Sequence, residues 1–94
     1  MAQKIQLPGG PDKTVTWIWL DPASGQLKIE FYDFSELAQQ MFGNDIAYTL
    51  SIAGDELRKL YLLAKQDEHS LIDWALKTFR SYFEIRHWLD ENGI

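Results

Sequence analysis

The chain has 94 residues, 46% of them apolar and 14% aromatic, a net charge of −5 and no cysteine. That length fits one domain with one compact core, and the apolar content is too rich for intrinsic disorder. The lack of cysteine excludes disulfides, thiolate nucleophiles and cysteine-ligated zinc, while the acidic balance, with nine dispersed basic residues, opposes binding to nucleic acid or anionic membranes.

In chain order, Ile5 and Leu7 alternate before Pro8, Gly9, Gly10 and Pro11, a cluster that interrupts any regular element. Residues 1–13 therefore read as a frayed start or a short edge strand. TVTWIWL, Thr14 to Leu20, and LKIEFYDF, Leu27 to Phe34, are rich in β-branched and aromatic residues and flank the turn-forming DPASG, which predicts a hairpin. In the second strand Leu27, Ile29 and Phe31 alternate with Lys28, Glu30 and Tyr32, the pattern of one dry and one wet face. The first strand alternates less cleanly. Its tryptophans, Trp17 and Trp19, are expected inside because Thr14 and Thr16 suit water better, which leaves Ile18, Leu20 and Tyr32 as an apolar strip on the outer face.

FSELAQQMFG predicts a short helix with Asp33 or Ser35 as its cap and Gly43 as its stop. Asp45 to Ile52 alternates again and predicts a third strand. Asp55 is the expected cap of a helix from Glu56 to about Gln66, with Leu57, Leu60, Tyr61 and Ala64 as its apolar stripe. Ser70 and Asp73 suggest a capping box for a last helix ending near Gly93, about 20 residues and roughly 30 Å long. The expected order is β-β-α-β-α-α. This is a single α+β domain over residues 1–94, with helices on one face of a small, mostly antiparallel sheet of three to four strands.

The last helix carries more large apolar side chains than one buried stripe requires. Ile72, Ala75, Leu76, Phe79, Tyr82 and Phe83 gather on one side as the core contact, and Asp73, Lys77, Arg80, Glu84 and His87 on another as the solvated face. Trp74, Thr78, Ser81, Ile85 and Trp88 form a further, heptad-like stripe. Two readings stand: the helix is gripped on two sides and the stripe is core, or the stripe is a seam for a second copy or another protein, where tryptophan anchors are enriched.

No catalytic constellation stands out. There are two histidines, His69 and His87, no phosphate-cradling glycine loop and no serine elbow. His87, Asp90 and Glu91 fall on neighbouring turns, but a solvated helix end explains them, and neither a metal nor a cofactor is expected. No apolar run approaches the roughly 20 residues that span a bilayer, and the start MAQKIQLPGG lacks a secretory apolar stretch, so a soluble cytoplasmic protein is expected. Small size, acidity and the shortage of catalytic groups have the character of small inhibitory or immunity-type proteins, although no motif carries that analogy. The expected function is a non-enzymatic protein-binding module with a basic protein as partner. Its leading contact residues are Trp74, Ser81, Ile85 and Trp88, with Ile18, Leu20 and Tyr32 in reserve. The alternative is a homodimer through the same stripe, with a small-molecule site or enzyme as a third reading.

Overall fold

A computed structural model describes residues 4–36, 40, 43 and 46–94. Four strands, β1 (Ile5–Gln6), β2 (Thr14–Leu20), β3 (Leu27–Asp33) and β4 (Ile46–Ile52), form one antiparallel sheet in the order β1-β2-β3-β4. Three helices follow, α1 (Gly54–Ala64), α2 (Leu71–Thr78) and α3 (Tyr82–Glu91), and they cover one sheet face in the expected α+β arrangement. The predicted helix over Phe34–Gly43 falls largely outside the described residues. None of the described helices is long and apolar enough to cross a membrane.

The predicted hairpin forms, with Leu20 opposite Leu27 and Thr14 opposite Asp33. Its turn is held by Asp21, whose backbone N–H donates to the Gln26 carbonyl and whose carboxylate accepts from Ala23 N–H and Ser24 Oγ. Those hydrogen bonds to the charged form hold the Asp21 carboxyl below its ordinary range. The start of the chain is the short edge strand that alternation predicts, with Ile5 opposite Ile18 and Gln6 opposite Trp17.

Leu27, Ile29 and Phe31 of β3 face the helices, as the alternating charges indicate. The phase of β2 is the reverse of the expected one. Thr16 and Ile18 are each only 1% exposed, Leu20 packs against the core, and Val15, Trp17 and Trp19 lie on the other face. The reason is registry: Thr16, Ile18 and Leu20 stand opposite Phe31, Ile29 and Leu27, and directly opposed antiparallel residues share a face. Ile18 and Leu20 are therefore on the covered face, not the outer one. On that outer face Trp19 is flanked by the Lys4 ammonium, 4.6 Å from the ring centroid, and Lys4 pairs with Glu30 at 3.5 Å.

Helix α1 buries Leu57, Leu60 and Ala64 of the predicted stripe, while Tyr61, its fourth member, is only half-buried against the core. It starts one residue before Asp55. Ala53 occupies the cap position without a side-chain bond, and Asp55 pairs instead with Arg58. Its end is a Schellman turn: Gln66 N–H donates to the Tyr61 carbonyl and Lys65 N–H to that of Leu62. Lys65 takes the left-handed conformation there, at φ 57°. Lys65→Gly should relieve that conformation and raise stability by about 0.5–1 kcal/mol, read as a higher urea midpoint at unchanged slope.

The single long last helix is instead two helices. Phe79 and Ser81 are extended, at φ −118°, ψ 143° and φ −153°, ψ 170°. The break is tied to the N-terminal segment. Gly9 N–H donates to the Arg80 carbonyl at 2.7 Å, and Tyr82 N–H donates to Thr16 Oγ1 at 3.0 Å. A Cβ at position 9 would lie 2.9 Å from Arg80 Cβ, so the close approach requires glycine. Glu84 also accepts from the Arg80 N–H, satisfying another donor at the start of α3. The predicted Ser70–Asp73 capping box does not form. Asp67 takes that place, accepting from the N–H groups of His69 and Ser70 and from Ser70 Oγ, and these bonds lower its pKa. Gly93 ends α3 as predicted, at φ 71°, with Ile94 N–H bonded to the Leu89 carbonyl.

Candidate interaction surface

Breaking the helix resets its phase, and with it the placement of every side chain beyond Thr78. Ile85 and Ser81 are buried, so neither presents its side chain to a partner in the folded chain. Trp74 and Trp88 are half-buried and meet edge to face at 5.4 Å, and each ring also meets the buried Phe79, at 5.3 and 6.1 Å. Thr78 and Trp88 are no longer members of one helical stripe, since α2 and α3 are separate. The aromatic trio closes one end of the core and lines a cavity of about 10 Å³ together with Ile18, Ile29 and Ile85. A space of that size, walled by apolar side chains, is barely a water's volume and no place for a substrate.

Phe83, expected in the core, is 51% exposed. It stands at the opposite end of the sheet in a second aromatic group. The buried Phe31 ring is the base, with Phe83 edge-on at 5.0 Å, Tyr82 tilted at 5.3 Å and Tyr48 stacked at 6.1 Å. Tyr48 and Tyr82 stack on one another at 6.5 Å, and Tyr48 is 53% exposed. The elements explain the meeting. Tyr48 is directly opposite Phe31 across the β3–β4 ladder, and the bond from Tyr82 N–H to Thr16, itself opposite Phe31, plants the first turn of α3 over the same row. Two half-exposed aromatic rings thus share the buried Phe31 as their base, with Tyr82 touching both. Tyr32 is exposed on the other sheet face beside Phe34. Leu62 and Leu63 are exposed on α1, away from any ring contact among the described residues.

This aromatic group lies along β4, the outer strand of the sheet. Among the described residues nothing pairs with its free edge. The strand has seven residues, IAYTLSI, without charge, proline or glycine. Natural sheet edges are usually blunted by a charge, a proline, a bulge or shortness, as β1 is by its two-residue length and the nearby Pro8.

Some charged groups on the helices pair within their own helix. His87 contacts Glu91 at 2.8 Å and Arg86 contacts Asp90 at 3.5 Å, both at four-residue spacing. His87, Asp90 and Glu91 consequently do not converge, and among the described residues no three His, Asp or Glu side chains gather to hold a metal. Burial, with Glu68 and Asp67 nearby, pushes the Tyr61 phenol above its ordinary range, so it stays protonated. Sequence periodicity missed the Tyr48–Phe83 group because it ran one helix through Phe79. The signal that finds it is SYFE, Ser81 to Glu84, which has the spacing of a helix start. No protein-family model, curated protein or solved structure matches the chain.

Proposed function

We propose that the chain is a non-enzymatic, intracellular protein-binding module whose contact surface is the aromatic group of Tyr48, Tyr82 and Phe83 along β4, the outer strand of the sheet among the described residues. The observation that carries this reading is the pair of half-exposed rings, Tyr48 and Phe83, seated on the buried Phe31. Large aromatic side chains with few rotamers are the residues around which interface energies concentrate, and leaving two of them in water is a cost that a bound protein removes. The net charge of −5 favours encounter with a basic partner, as screening by salt would reveal.

Trp74 and Trp88 support the surface less well, because their rings are already in contact with each other and with Phe79. Replacing either disturbs the core and the surface together. The test is therefore Tyr48→Ser with Phe83→Ser, compared with the parent chain for proteins retained from an extract of the native host. The double variant should keep a urea midpoint close to the parent's and retain the bound protein at least about tenfold less well, the loss of about 1–2 kcal/mol expected for interface anchors. Equal retention by both chains would remove the reading.

A further inference from the structure

We infer that the partner meets Tyr48 with a lysine or arginine side chain, held over the exposed part of the ring with the Asp33 carboxylate as its counter-charge. This rests on the module reading above and deepens it by giving the chemistry of the partner's contact residue. The chain itself shows how such a cation is held.

On the outer face of the sheet, Trp19 stands opposite Lys28, and Glu30 lies two residues further along β3 on the same face. Ring and carboxylate are therefore diagonal neighbours, about 7–8 Å apart across the ladder and within reach of a third side chain placed between them. The Lys4 ammonium takes that place, 4.6 Å from the Trp19 ring centroid and 3.5 Å from Glu30 Oε1. The negative face of the ring and the carboxylate attract the same ion.

On the helix-covered face the same relation recurs without the cation. Tyr48 stands opposite Phe31, and Asp33 lies two residues further along β3 on the same face. The step from the ring's partner to the acid has the same length and direction in both cases, so the two diagonals have the same hand. Tyr48 is half-exposed and Asp33 half-buried. The Asp33 carboxylate is positioned by its Oδ1, which accepts from the Ser35 N–H at 2.9 Å. Among the described residues no lysine or arginine pairs with Asp33, and none stands over Tyr48 or Phe83. A neutral or acidic contact residue would leave that carboxylate uncompensated as the partner excludes water, whereas a cation satisfies carboxylate and ring together. Phe83, on the same Phe31 base, offers an apolar contact to the partner residue beside the cation.

The probe is the peptide acetyl-Gly-Arg-Leu-Gly-amide, with twins carrying norleucine or glutamate in place of arginine. Each is titrated into the full chain and followed by the ring resonances of Tyr48 and Phe83 in nuclear magnetic resonance. The arginine peptide should shift Tyr48 saturably in the millimolar range, less tightly as salt is raised, and the glutamate twin should bind most weakly. Tyr48→Leu removes the ring but keeps an apolar side chain, and Asp33→Asn removes the charge but keeps an acceptor for the Ser35 N–H. Each should weaken the arginine peptide about three- to fivefold, while Tyr48→Phe binds it as the parent does and Asp33→Asn leaves the norleucine twin unaffected. Urea midpoints close to the parent's establish that the variants are folded. Equal binding of the arginine and norleucine peptides overturns the inference, as does arginine binding unchanged in both Tyr48→Leu and Asp33→Asn, or no saturable shift at Tyr48 up to about 10 mM peptide. If arginine is not preferred but Tyr48→Ser with Phe83→Ser still releases the retained host protein, only the cation has failed and the contact is apolar. If retention is equal with and without those rings while arginine preference persists, the cation site stands and the module reading falls.

Discussion

Ile18→Ala should lower the free energy of unfolding by about 2–5 kcal/mol, while Val15→Ala on the same strand should cost about 1 kcal/mol or less. Ile18 is 1% exposed and stands between Ile5 and Ile29 in the sheet, beneath α2 and α3, so its truncation leaves a cavity that these neighbours cannot collapse to fill. Val15 lies on the other face, opposite Tyr32, where water or small movements replace what is lost. Domains of this size are stable by only about 5–15 kcal/mol, so the first substitution should remove a large share of the total. Urea unfolding followed by tryptophan fluorescence measures both midpoints. A reversed order, with Val15→Ala the costlier of the two, would mean that β2 lies in the opposite phase, with the tryptophans inside.

That pair of substitutions also marks where sequence alone ceases to be readable. In β3 the phase is legible because Lys28 and Glu30 alternate with Leu27, Ile29 and Phe31, and a charge identifies the wet face at once. β2 has no charged residue, both of its faces are apolar enough to be buried, and the larger surface of two tryptophans argues for the wrong one. The deciding residue is Thr16, whose hydroxyl looks like a reason for water. It is buried because a donor 66 positions away, the Tyr82 N–H, satisfies it, and no local pattern announces a bond of that span.

The same bond explains the broken last helix. Apolar period alone carries through Phe79 to Tyr82 and Phe83, since helical spacing is continuous there. Continuing the helix would require the N–H of Tyr82 to turn back to the carbonyl of Thr78, and here it goes to Thr16 instead. Gly9, within an approach too tight for a side chain, fixes the Arg80 carbonyl beside it. Pro8–Gly9–Gly10–Pro11 therefore reads locally as an interruption, and in three dimensions it is the dock for the break. The candidate surface follows from this break: with α3 restarted at Tyr82, Phe83 turns outward against Phe31 and Tyr82, and the anchors move from Trp74 and Trp88 to the opposite end of the sheet.

Thr16→Val should accordingly cost about 1–3 kcal/mol although it removes no carbon atom and nearly preserves the side chain's shape. The loss comes from the donor left behind. The Tyr82 N–H is the first of α3, has no partner within its own helix, and lies where water reaches it poorly. Thr16→Ser keeps the acceptor and loses only a methyl group, so it should recover stability relative to valine, which a mere packing defect would not do. Hydrogen exchange at Tyr82 distinguishes the cause: its amide should exchange much faster in Thr16→Val than in the parent chain or Thr16→Ser. The consequence extends to the surface. If Thr16 holds the start of α3 over the Phe31 row, freeing that turn should also loosen Phe83 from Phe31 and Tyr82 from Tyr48, seen as loss of ring contacts within these pairs by nuclear Overhauser effects, while the packing of Trp74 on Phe79 at the far end stays intact. Unchanged exchange at Tyr82 would place the cause of the helix break in the Gly9–Arg80 contact alone.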